Sequence, residues 1–206
     1  MKYQHIVFDV DGTLVDTEYS VLHSFRDVLE TLTGKHYEPE ELTFALGMPS
    51  EDALARFGLS LTTEVQILWG TQSKKYDRTN KLFEGMETVL ETLKARSCSL
   101  GIVTSRNRLE FQEDIEGFGI TRLFDHVICA DDTTEHKPKA APLLKYMELA
   151  GARPEETIYV GDSIYDALCA QAAGVDFADA VWGSHTVDRP ARYFPETPLE
   201  FLGMMK

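Results

Sequence analysis

The sequence predicts an α/β fold: a parallel sheet layered with helices and interrupted after its first strand by an all-helical insertion. Three observations lead there. An apolar, β-branched run, Ile6-Val7-Phe8, opens the chain and ends in Asp9-Val10-Asp11-Gly12-Thr13. No convincing strand pattern follows between residues 17 and 80. After Gly85, helical patterns alternate with short apolar runs, the order produced by parallel strands joined by right-handed helical crossovers.

Residues 4 to 9 read as a buried strand. Asp16-Thr17 opens a helix in which Val21, Leu22, Phe25, Val28, Leu29 and Leu32 recur at helical spacing, and Gly34 ends it. Pro39-Glu40-Glu41-Leu42 reads as a helix start with proline in the first turn. Ser50 is expected to cap a helix over residues 51–57, and Thr62 or Thr63 a longer one running towards Lys81. A helix over about 86–96 then precedes the strand 99–103, and one over about 108–117 precedes 125–129. Helices over about 140–150 and 163–173 precede strands 157–160 and 175–178. A last helix is expected over 199–204. The expected domains are a core of residues 1–16 and 81–206 and a helical insertion of 17–80.

The composition, 43% hydrophobic and 26% charged, is that of a globular domain. A formal net charge of −14 argues against nucleic acid as a partner, because a phosphate backbone is repelled. No apolar stretch reaches the length of a membrane span, so no membrane partner is expected. The N-terminal residues enter a strand pattern directly and do not read as a signal peptide. Cys98, Cys129 and Cys169 are widely spaced and read as small buried hydrophobes, which suggests a reducing cytoplasm. Oligomeric state stays open.

In an open α/β sheet, ligands bind beyond the carboxyl ends of the strands. The expected strand ends carry Asp9-Val10-Asp11, then Thr104-Ser105, then Asp131-Asp132 and Lys137-Pro138, then Gly161-Asp162-Ser163 with Asp166 one turn later. Residues i and i+2 of a strand point the same way, so Asp9 and Asp11 are expected to project together. Two like charges held close need a compensating cation, and a divalent metal would supply it. The set suits phosphoryl transfer. One carboxylate can attack phosphorus, and a second can protonate the leaving oxygen. Hydroxyls can bind the transferring group, and a lysine can neutralise its charge.

Taken in this order, the motifs closely resemble the haloacid dehalogenase superfamily, specifically its phosphatases of the phosphoglycolate phosphatase and β-phosphoglucomutase branch, over nearly the whole chain. The resemblance implies a Rossmann-like core with a helical cap that closes over the substrate. It makes Asp9 the nucleophile that becomes an aspartyl-phosphate, Asp11 the general acid/base, Thr104 the phosphate-binding hydroxyl and Lys137 the stabilising cation. It places Mg²⁺ on Asp9, the carbonyl of Val10 and Asp162, with Asp11 beside it and Asp166 supporting it directly or through water. Ser105 joins the phosphate site, and Gly47, in the loop Gly47-Met48-Pro49-Ser50, is where selectivity for a small phosphorylated metabolite is expected.

Asp11 separates this chain from the dehalogenase, phosphonate-cleaving and ATPase branches, which lack an aspartate there. A sugar phosphomutase is the alternative. Those enzymes resemble the chain but place a histidine ten residues beyond the acid/base aspartate, where Val21 stands. They also carry Gly-x-Ser-Arg in the cap, where this chain has Gly47-Met48-Pro49-Ser50-Glu51. Arg106 and Arg108 are balanced between surface charge and phosphate steering. Asp131, Asp132 and Glu135 read as a solvated turn, or as a partner that orients Lys137. His185 reads as structural or exposed.

Overall fold

A computed structural model describes residues 2–184 and 189–205; His185 lies outside them. The chain divides into two compact units, Met1–Val15 with Leu82–Lys206, and Asp16–Lys81.

The first unit is built on a five-stranded sheet in the order β5-β4-β1-β6-β7. Its strands are β1 (His5–Phe8), β4 (Ser99–Val103), β5 (His126–Ile128), β6 (Thr157–Gly161) and β7 (Asp176–Asp179). Every neighbouring pair is parallel. The alternation of a pleated strand sorts side chains onto two faces. Ile6, Phe8, Leu100, Ile102, Ile158 and Val160 enter one core with helix α4 (Met86–Ala95) and α8 (Pro198–Met204). Val7, Val103 and Tyr159 enter the other with α6 (Ala141–Ala150) and α7 (Ile164–Ala173). A sheet covered on both faces explains why these strands read as unbroken apolar runs. The strand order reverses beside β1, so the carboxyl ends of β1, β4 and β6 are neighbours at the place where open α/β sheets bind ligands.

The chain passes between the units at a two-stranded ribbon, β2 (Val15–Asp16) and β3 (Lys81–Leu82). The second unit is helical: α1 (Glu18–Thr33), α2 (Ser50–Ala55) and α3 (Thr63–Ser73). Leu22, Phe25, Val28 and Leu29 of α1 meet Leu42, Ala45, Leu54 and Val65 in their own core. Trp69 stacks on Phe25 at 5.1 Å between ring centres.

The helix start expected at Pro39 is present, as a 3-10 helix over Pro39–Ala45 with the proline in its first turn. Two local expectations are corrected. Ser50 is the first helical residue, not a cap; Pro49 stands at the cap position and no side chain bonds the helix start there. Thr62 does cap α3, accepting from the N–H of Val65, but the helix stops at Ser73. The polar stretch after it has no apolar repeat to bury, and it turns through residues 77–79 into β3.

Candidate active site

The Asp9 loop starts as a continuation of β1: the N–H of Asp9 still bonds the carbonyl of Val160 at 2.9 Å. The chain then turns tightly. The N–H groups of Thr13, Leu14 and Val15 all converge on the carbonyl of Val10, at 3.2, 2.9 and 2.9 Å. The expected metal contact at Val10 is therefore corrected: its carbonyl faces into the turn that it closes.

Gly12 makes the turn possible. Its φ is +73°, and a Cβ there would lie 2.2 Å from an Asp162 carboxylate oxygen. Gly183 packs on the same loop, where a Cβ would fall 1.7 Å from the Gly12 carbonyl oxygen. Trp182 donates its indole N–H to the Thr13 carbonyl at 2.9 Å. Gly183→Ala must push one backbone away from another. We expect a stability loss of about 1–3 kcal/mol by urea unfolding and lowered activity.

Lys137 is buried, and its ammonium is the hub of the site. It donates to Asp9 Oδ1 at 2.8 Å, to Asp166 Oδ1 at 2.7 Å and to the Tyr159 hydroxyl at 3.2 Å. Burial works against its charge, but Asp166 and Asp9 outweigh that and hold its pKa above the ordinary lysine value. The Tyr159 hydroxyl also lies 2.9 Å from the Val103 carbonyl and 2.8 Å from Asp166 Oδ1, so its single proton serves one of them at a time.

Asp166 is wholly buried. Burial alone would raise its pKa, yet Lys137, Ser163 and Tyr159 hold it below the usual carboxylate range. Its other oxygen accepts the N–H of Ser163, while the Ser163 hydroxyl caps α7 by accepting the N–H of Asp166 at 3.1 Å. Asp166 thus carries Lys137 and anchors a helix start.

Asp162 accepts from the Thr13 hydroxyl at 3.1 Å. Burial, with Asp166 and Asp9 adding negative potential, pushes its carboxyl well above the usual range. For Asp9, burial pushes the carboxyl up, Lys137 pulls it back, and Asp166 and Asp11 push it up again, to about 7. One oxygen from each of Asp9, Asp162 and Asp166 lies within 4.8 Å of the others. With all three carboxylates ionised, one lysine would leave two negative charges in a buried volume, which is why burial holds protons on Asp162 and Asp9. Hard oxygen donors with that deficit fit a divalent cation such as Mg²⁺.

The Asp11 side chain is not one of these three carboxylates, though its charge lies near enough to Asp9 to push the Asp9 carboxyl up. Its two oxygens are held by Arg106, at 2.7 and 2.9 Å. Among the other expected residues, Thr104 is buried and its hydroxyl accepts the Arg106 backbone N–H at 3.2 Å. Ser105 is exposed. Arg108 binds the Val127 carbonyl and the Asp132 carboxylate, and Asp131 accepts the Arg108 N–H, so these acids orient Arg108 rather than Lys137. Gly47 belongs to the helical unit, where its φ is +71°.

Sequence reasoning missed Tyr159, Asp114 and the Trp182-Gly183 turn. The signal for Tyr159 was a phenol in the middle of an apolar strand, since a buried tyrosine hydroxyl needs a partner.

Comparison with known proteins identifies a family. The family model described as haloacid dehalogenase-like hydrolase matches residues 6–180. The pyrophosphatase PpaX of Bacillus cereus strain AH820 is 32% identical over 185 residues, 88% of this chain and 85% of the relative. A "putative phosphoglycolate phosphatase" from Lactobacillus plantarum has a crystal structure with a TM-score of 0.92 and 31% identity, covering 99% of this chain and all of the other. A subfamily IA hydrolase of the same superfamily from Geobacter sulfurreducens is 27% identical with a TM-score of 0.75, covering all of this chain and 97% of the other. Among the described residues, no helix is long and apolar enough to cross a membrane. The chain belongs to the haloacid dehalogenase-like hydrolase family and is a member of its phosphatase kind.

Proposed function

We propose that the protein is a Mg²⁺-dependent phosphatase acting through an aspartyl-phosphate on Asp9. Its substrate would be a small phosphate monoester, of the phosphoglycolate or sugar-phosphate kind, or pyrophosphate. The observation that carries this reading is the division of the carboxylates. Asp9 sits buried on Lys137 beside Asp162 and Asp166, while Asp11 is held separately by Arg106.

In the first step an Asp9 oxygen bonds to phosphorus as the bond to the leaving oxygen breaks, and Asp11 gives that oxygen its proton. In the second, Asp11 takes a proton from water. The water oxygen bonds to phosphorus, the bond to Asp9 breaks and inorganic phosphate leaves. Lys137 keeps its contact with Asp9 and offsets charge on the transferring group, and the Thr104 hydroxyl can donate to it. Asp9, Asp162 and Asp166 would hold the metal, which when bound offsets the repulsion between the carboxylates and an incoming phosphate. Gly47 keeps the substrate-contact role that the resemblance implies. The names of the relatives support the substrate class, since they include a pyrophosphatase and a "putative phosphoglycolate phosphatase".

The test is release of free phosphate from an aryl phosphate, pyrophosphate and a panel of phosphorylated metabolites, with Mg²⁺ and no other phosphorylated additive. Turnover that yields no free phosphate and requires a bisphosphate primer would instead make the protein a phosphomutase.

Metal binding has a reading independent of turnover. A carboxyl with a raised folded pKa holds its proton longer when folded. Asp9 therefore subtracts stability as pH rises from about 4, the unfolded carboxylate range, to about 7. A cation on the cluster relieves that loss, so Mg²⁺ is expected to raise Tm more at pH 8 than at pH 5. Equal shifts, or none, would contradict the metal assignment.

A further inference from the structure

Arg106 is the one basic side chain whose fork lies on Asp11 among the contacts described. Its Nε and one Nη donate to the two Asp11 oxygens, and its other Nη bonds Asp114 on α5 (Arg108–Ile115). A guanidinium that grips a carboxylate through two parallel bonds fixes its direction as well as its charge. The grip is largely buried, with 15% of the arginine side chain exposed, so solvent screens it less than a surface pair.

The arginine is itself held firmly. Its backbone N–H bonds the Thr104 hydroxyl. The next residue, Asn107, caps α5 by accepting from the N–H of Glu110, and the Glu110 carboxylate returns a contact to the N–H of Asn107.

We propose that Arg106, anchored on α5 by Asp114, is the positioning residue for the acid/base carboxylate: its fork fixes the direction of the Asp11 side chain, whose two oxygens both accept from it. Arg106 acts through Asp11 and touches no reacting atom. The inference rests on the acid/base role proposed for Asp11.

The test compares two substrates of similar shape. p-Nitrophenyl phosphate releases a weakly basic phenoxide that needs little help from an acid. Phenyl phosphate releases a much stronger base that needs the proton. Because kcat/KM reports the first irreversible step, it isolates cleavage of the leaving group. For Arg106→Met, kcat/KM on phenyl phosphate is expected to fall on the order of 10²-fold, with a drop only a few-fold on p-nitrophenyl phosphate. Asp11→Asn should discriminate in the same direction, and the double variant should be no worse than Asp11→Asn alone.

Equal losses on both substrates in Arg106→Met, with Asp11→Asn still discriminating, would overturn the positioning role and leave the mechanism standing. Multiplicative losses in the double variant would overturn it too. If Asp11→Asn itself fails to discriminate, the acid/base reading falls and takes the positioning role with it. If Arg106→Met does not fold, Arg106→Lys carries the same comparison. It keeps the charge without the fork, and an unchanged ratio between the substrates would again overturn the proposal.

Discussion

Asp9→Asn is expected to abolish turnover, with kcat on p-nitrophenyl phosphate in Mg²⁺ falling by a factor on the order of 10⁴ or more. The amide has nearly the shape of the carboxylate and none of its charge, so it cannot attack phosphorus at a useful rate. The variant should fold normally, because Lys137 keeps Asp166 as an ionic partner at 2.7 Å. Stability should move the other way from activity. Burial and neighbouring carboxylates raise the Asp9 pKa to about 7, so above that pH the ionised side chain weighs against folding. At pH 8 without metal, Asp9→Asn should be at least as stable as the parent in urea. A variant that is inactive because it is unfolded would not meet this expectation.

Lys137→Met should produce the largest loss of stability. The ammonium is buried between Asp9 and Asp166 at 2.8 and 2.7 Å, and removing it strands two carboxylates. Breaking one side of a buried ion pair costs about 3–5 kcal/mol, and catalytic activity should disappear with it. The pH dependence has a definite sign. Asp166 has a lowered folded pKa, so its contribution is present above the unfolded carboxylate pKa of about 4 and lost as pH falls through the folded value. Lys137 has a raised folded pKa, so its contribution is present below the unfolded lysine pKa of about 10.4 and lost as pH rises beyond the folded value. The gap between parent and variant in urea should therefore be widest between about pH 4 and pH 10, and should narrow in acid.

Much of this was legible in the sequence, because the sheet is parallel and buried on both faces. Ile6-Val7-Phe8 and Ile158-Tyr159-Val160 announce themselves as strands, and strand ends are where an open α/β sheet places its chemistry. Asp9, Lys137 and Asp162 stand out that way, and the structure brings them together. What stayed hidden depends on distance along the chain or on the orientation of single groups. Arg106 meets Asp11 across 95 residues, and Asp114 fixes it from a helix that shows only an ordinary acidic surface. The resemblance set Asp166 beside the metal, and what the fold adds is that it is wholly buried and bonded to Lys137. The metal contact at the Val10 carbonyl came from the resemblance, which does not say which carbonyl closes a turn. Spacing paired Asp9 with Asp11, and Asp11 does lie near enough to push the Asp9 carboxyl up, but only the fold shows that Arg106 holds both Asp11 oxygens.

In the proposed mechanism phosphate passes through a covalent bond to Asp9. The direct measurement is to quench the enzyme in acid during turnover of an aryl phosphate, reduce it with borohydride, and map the peptides by mass spectrometry. Borohydride converts an aspartyl-phosphate to homoserine and leaves a free aspartate unchanged. Homoserine is expected at position 9 in the parent protein, dependent on substrate. Reduction at another carboxylate, or full turnover with Asp9 never modified, would contradict it.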